Sequence, residues 1–178
     1  MKNLLTLLFI VIHTLSNAQI ITEIMYNPPE DGVDSLEYIE IYNNTDSTIN
    51  FSDFSLIGVS LLFDLGPILE PDSYLVVCKD NEALFNNFGI DGIPWSSGAL
   101  SNDGEELGII NASGDTIFSI TYSSMEPWPL IANGSGPSIE LCDLNSDPTD
   151  AANWNPSQGF TNVIVLSLIH ISEPTRPY

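Results

Sequence analysis

Carboxylates make up nearly the whole chemical repertoire of this chain. Of 178 residues, 24 are Asp or Glu against 3 Lys or Arg and 2 His, a formal net charge of −21 at pH 7. A Ser/His/Asp or Cys/His relay needs a base that takes a proton near neutrality. His13 and His170 both lie in end segments that fall outside the domain, as do Lys2 and Arg176, so Lys79 is the one base of the central segment. In Cys78-Lys79-Asp80 it stands beside a carboxylate at a strand end, the setting of a solvated lysine rather than a desolvated catalytic amine. Paired carboxylates are the remaining route to catalysis, because burial that raises one pKa can serve glycoside hydrolysis. Glu37 and Glu40 fall on opposite faces of one strand and Glu105-Glu106 are adjacent, so neither pair converges and no catalytic residue is assigned.

Metal ligation suits these oxygens better. Asp143, Asn145, Asp147 and Asp150 alternate within one loop as hard donors fit for Ca²⁺. The loop is not an EF-hand, which would need Gly where Pro148 stands and a bidentate Glu where Trp154 stands. Asx turns explain the same four residues. Glu30, Asp31 and Asp34 form a poorer version of the same loop. Calcium is thus the sole cofactor suggested. Nucleic acid is excluded as a partner, since the counterion-release term that drives its binding needs clustered Lys or Arg.

Both ends read as something other than fold. Lys2, the apolar stretch Leu4 to Leu15 and the small residues Ser16-Asn17-Ala18 form a secretory signal over residues 1–18, cut ahead of Gln19. The apolar stretch is shorter than the about 20 residues of a membrane span, so no stable span is expected after cleavage. The expected location is extracellular or at the cell surface. Residues 161–178 read as a truncated end. From Leu166 onward the text matches the conceptual translation of a transposase-type sequencing adapter, a scar to be set aside before fold reasoning.

The elements that must position the central residues are short alternating or β-branched runs between turn clusters, the pattern of an all-β sandwich. The first strand is expected over Ile20 to Tyr26 and the second over Leu36 to Tyr42, with Leu36, Tyr38, Glu40 and Tyr42 on one face. Phe54 to Phe63 reads as a strand pair around Gly58, and Tyr74 to Cys78 as a central strand buried on both faces. Glu106 to Ile110 and Thr116 to Tyr122 flank a five-residue hairpin loop, Asn111 to Asp115. Ser138 to Cys142 is expected to close the sheet, and Asn81 to Phe88 to form one helical turn or two.

Cys78 and Cys142 fall in strands of an exported chain, where a disulfide persists if formed. The periodicity permits the bridge without requiring it. Trp95, Trp128 and Trp154 sit among prolines and glycines, where they either line a ligand groove or plug the ends of a sandwich; plugging is the stronger reading. Asn43, Asn50, Asn111 and Asn133 match a glycan acceptor pattern that is cheap to meet by chance.

Ile21-Thr22-Glu23-Ile24-Met25-Tyr26-Asn27-Pro28-Pro29, followed by Glu37-Tyr38-Ile39-Glu40-Ile41-Tyr42-Asn43, resembles the opening of a bacterial lamin-tail domain. Tyr74-Leu75-Val76-Val77, Leu100 to Glu105, Ser138-Ile139-Glu140-Leu141 and Ala151 to Ser157 are similar to the same family in the same order. The resemblance implies an immunoglobulin-like β-sandwich over residues 19–160 with no active site. It further implies a secreted binding or scaffolding module, the N-terminal fragment of a larger extracellular or surface protein, that meets a protein or a surface glycan. Two alternatives stay open: an accessory domain of a secreted nuclease or phosphoesterase whose catalytic domain lies downstream, or a structural cell-surface protein.

Overall fold

The computed structural model describes residues 19–29, 32–63 and 66–158. The expected leader and truncated tail lie outside them. Among the described residues the chain runs β1 (Gln19–Met25), β2 (Tyr38–Asn43), β3 (Ile49–Asn50), β4 (Ser55–Ile57), β5 (Ile68–Leu69) and β6 (Tyr74–Cys78). It continues through helix α1 (Asn81–Phe88), β7 (Ile93–Pro94), β8 (Glu106–Ile110), β9 (Thr116–Thr121), β10 (Ile139–Leu141) and β11 (Trp154–Pro156). A six-stranded sheet has the order β11-β10-β1-β2-β6-β7, a three-stranded sheet the order β4-β8-β9, and β3 pairs with β5. Among the described residues only the β6–β7 pairing is parallel.

Alternation in the sequence becomes a sandwich because each sheet has one apolar face to hide. Ile21 and Ile24 of β1, Ile39 and Ile41 of β2 and Ile139 of β10 share one core with Leu56, Leu107, Ile109, Phe118 and Ile120 of the smaller sheet. Each such side chain, fully buried, stabilises by about 1.5–3 kcal/mol. The expected all-β, immunoglobulin-like sandwich is what the chain forms, with α1 its one α-helix among the described residues.

That helix covers part of the large sheet's outer face. Asp80 caps its start by accepting from the Ala83 amide, and Gly89, at φ 71, ends it with its N–H on the Phe85 carbonyl. The left-handed turn is one that glycine reaches without Cβ strain. Leu84 then packs on Met25, Tyr38 and Cys78.

Several expected boundaries shift. The second strand starts at Tyr38, because the Glu37 amide donates to the Asp34 carbonyl and keeps Leu36 and Glu37 in a turn. In β6 only Val77 and Cys78 are buried, while Tyr74, Leu75 and Val76 are half-exposed beside an open groove. β10 is an interior strand rather than the closing one, with β11 outside it. The Asn111–Asp115 hairpin forms where expected, between β8 and β9.

Cys78 and Cys142 are both free, one buried and one exposed. Cys78 ends β6 and Cys142 follows β10, with β1 and β2 between them. Three strand spacings come to about 14 Å, twice the Cα reach of a disulfide.

Asn43 is fully buried and ties three segments together. Its amide donates to the carbonyls of Ser47, Leu69 and Glu70, and its Oδ1 accepts from Thr45. As folded, it cannot accept a glycan. The large sheet's two outermost strands, β7 and β11, are two and three residues long and end in Pro94 and Pro156.

Candidate functional site

Pairing between β1 and β2 slips between Ile21 and Glu23. In an unbroken strand Thr22 and Glu23 would face opposite ways; the bulge brings both to the outer face of the large sheet. Thr22 Oγ1 donates to Glu40 Oε1 at 2.8 Å, and Tyr38 OH donates to Glu23 Oε1 at 2.5 Å. The Ser138 hydroxyl also reaches Glu23 Oε1. Register then lines up Glu140, Glu23, Glu40 and Val76 across four neighbouring strands.

Three glutamates side by side in a sheet repel one another unless protons remain. Burial pushes the Glu23 carboxyl up to about 7, against the hydrogen bonds from Ser138 and Tyr38 and with help from Glu140. Burial, then the Glu23 charge, pushes Glu40 up to about 8, against the Thr22 hydroxyl. The Tyr74 phenol rises to about 12, first from burial and then from Glu40 and Glu140.

Glu40, Glu140 and Thr22 open into a groove of about 590 Å³. Tyr74, Leu75 and Val76 of β6 line its floor, Gly89 to Asp91 after α1 one wall, and Leu141, the last residue of β10, to Asn145 the other. It joins acidic and apolar surface, and among the described residues no histidine, arginine or lysine lines it.

The four residues of the expected calcium loop are divided. Asp143 and Asn145 line the groove, where Asp143 Oδ1 accepts from the Asn145 amide at 2.9 Å. Asp147 Oδ1 accepts from the Thr149 amide and hydroxyl, which holds its carboxyl below the usual range. Asp150 Oδ1 accepts from the Ala152 amide and caps the turn Ala151–Asn153. Each carboxylate thus organises its own turn, and Trp154 Nε1 bonds the Pro148 carbonyl inside this loop. Among the described residues no three His, Cys, Asp or Glu side chains gather closely enough to hold a metal ion. In the second acidic loop Glu30 and Asp31 lie outside the described residues.

Lys79 is held 3.5 Å from Glu37 Oε1, and Glu37 Oε2 accepts from the Leu100 amide at 3.1 Å. Burial still pushes Glu37 up to about 7 despite these partners. The pair pins the Leu100 loop to the start of β2. It is a structural tie, and the base is occupied by it. Trp95, Trp128 and Trp154 are all buried, and Trp128 and Trp154 meet with ring centroids 5.7 Å apart. They plug the sandwich.

Sequence reasoning therefore missed the acid row. Glu23, Glu40 and Glu140 each sit in an expected strand, and the signal that joins them is pairing register together with a bulge at Thr22.

The sequence profile of the Lamin Tail Domain family matches residues 16–124, more than half of the chain. The chain belongs to the lamin tail domain family. Lamin tail domains are non-catalytic immunoglobulin-like modules, in keeping with the two-layer architecture. In this lamin tail domain β10 and β11 lie beyond the matched stretch yet pair into the large sheet, and Glu140 of the acid row comes from there. No curated protein matches the chain. Among the described residues no helix is long and apolar enough to cross a membrane.

Proposed function

We propose that this lamin tail domain is an exported contact module that binds or scaffolds and performs no turnover. The observation that supports this most is the state of its one central base. Lys79 is committed to Glu37, so the groove offers carboxyls and apolar walls without a nucleophile–base pair. Relays of the Ser/His or Ser/Lys type need a free base, and among the described residues none lines the groove. The partner is a protein or a surface glycan, and the module serves as part of a larger extracellular or surface protein.

Two measurements test this. Exported material is expected to begin at Gln19 by N-terminal sequencing, and retention of Met1-initiated chain inside the cell would end the export reading. The full chain is expected to leave a panel of glycosides, phosphodiesters and peptides unchanged. Turnover that Glu40→Gln abolishes would make the groove an active site and overturn the contact reading.

A further inference from the structure

We propose that β10 and β11 form an end flap that opens from β1 as pH rises, released when Glu23 loses its proton opposite Glu140. The two strands are joined to the sandwich so that they can part from it as a unit. β11 is outermost in the large sheet, and β10 joins β1 through two register pairs, Glu23–Glu140 and Ile24–Ile139. β1 and β2, by contrast, pair from Gln19–Asn43 to Met25–Tyr38. Gly134 and Gly136, both at positive φ, precede β10 and supply a pivot.

One carboxyl holds the polar seam of this flap. Glu23 Oε1 accepts from the Tyr38 hydroxyl of β2 and from the Ser138 hydroxyl just before β10. Ser138 is tied in turn to Ser157 beyond β11, Oγ to Oγ at 2.7 Å and Ser138 amide to Ser157 Oγ at 3.0 Å, and the Ser157 amide donates to the Ser138 carbonyl. All four residues of the chain from Tyr38 to Ser157 are buried. The seam thus crosses the large sheet from β2 to β11 and passes through Glu23.

Ionising Glu23 here sets two effects against each other. The hydroxyls hold a carboxylate more firmly than a carboxylic acid, whereas burial and the Glu140 carboxyl across the ladder penalise the charge. Burial outweighs the hydroxyls, and the carboxyl stands at about 7 instead of the ordinary 4.5. In an opened flap the same carboxyl meets water and returns toward 4.5. Opening is therefore favoured step by step as pH rises above that value, until Glu23 is ionised in the closed form too.

The groups packed around Glu23 share its sign. Glu140 faces it from β10, Glu40 and Tyr38 from β2, and Tyr74 of β6 stands near Glu40 and Glu140. α1, which packs on Tyr38 and Cys78 through Leu84, starts with Asp80 and Glu82, and Asp91, Cys142 and Asp143 line the groove beyond. Lys79, the one base among the described residues, is held at Glu37. Ile139, Leu141 and Trp154 oppose opening from the core, so the open form is a minor one and is read by exchange.

The test is amide hydrogen exchange of the full chain, read by mass spectrometry and corrected for the intrinsic rate at each pH. The β10 and β11 amides are expected to exchange faster than those of β8 and β9 at every pH, at a rate that urea below the unfolding transition barely changes. Their protection is expected to fall about tenfold from about pH 6 to about pH 8.5, levelling off above about 7. Glu23→Gln is expected to hold that fall to less than about threefold. Tyr38→Phe keeps the ring but takes one donor from the carboxyl, so the levelling-off is expected to move to higher pH; this variant carries the test if Glu23→Gln fails to fold. One common protection for β8 to β11 overturns the proposal, because then only the whole domain opens. Flap protection that stays flat with pH overturns it as well. So does a fall as steep in Glu23→Gln as in the parent chain, or a levelling-off that Tyr38→Phe leaves in place.

Discussion

Glu23 and Glu40 stand opposite each other across β1 and β2 on the outer face of the large sheet, both buried and each bonded to a hydroxyl from a neighbouring residue. Directly opposed like charges destabilise a strand pair, so this register is tolerable only while at least one of the two keeps its proton.

Stability is therefore expected to fall as pH rises. Glu23 at about 7 and Glu40 at about 8 lie above the ordinary 4.5, so the folded chain binds more protons than the unfolded one between those limits. The contribution is complete below about pH 4.5 and is lost as pH rises through about 7 to 8. Melting temperature measured from about pH 5 to about pH 8.5 should drop, and Glu40→Gln should remove part of the drop, Glu23 and Glu37 keeping the rest. A rising profile would refute the protonated pair.

Lys79→Met should destabilise more than Lys79 exposure alone suggests, because Glu37 is wholly buried and would lose its counter-charge. The expected loss is about 1–3 kcal/mol by urea unfolding at neutral pH, and Glu37→Gln in the same background should recover part of it. A neutral effect of Lys79→Met would mean that the pair holds nothing in place.

The turn carboxylates yield a separate expectation. Asp147→Ala removes two hydrogen bonds that order the loop around Trp154 and should lower the melting temperature slightly, the same with calcium as with a chelator. A saturable rise in melting temperature at millimolar Ca²⁺ that Asp147→Ala abolishes would instead place a calcium ion in the loop.

Overall charge predicts a fourth outcome. With 24 acids against 3 Lys or Arg, self-repulsion opposes the compact state. Raising NaCl from about 10 to about 300 mM should increase melting temperature by a few degrees. A flat response would show that the acids are spaced too widely to matter.

How legible all this was in the sequence depends on the range of the interaction. β1, β2 and the β8–β9 hairpin follow from alternation and from the Asn111–Asp115 turn, which are local. The start of β2 was misplaced because Leu36-Glu37 continues the alternating pattern while the Glu37 amide is taken by Asp34. The acid row was invisible for a deeper reason. Glu140 meets Glu23 across a separation of more than a hundred residues, and Glu23 meets Glu40 only because one residue is extruded at Thr22. Nothing within reach of a single strand encodes such a meeting. The four loop residues are the reverse case: hard donors at close spacing serve a metal or a turn equally well on paper, and the structure adds the turns that three of them organise.

The shortness of β7 and β11, each ending in a proline, bears on how such a module behaves when crowded. An open rim of unpaired amides would invite a second copy to continue the ladder and seed fibrils. Here a ring nitrogen with no hydrogen sits at both rims of the large sheet. Copies displayed densely or strung in tandem can therefore lie against each other without zipping together along these rims, which leaves the broad faces to make the meetings that matter.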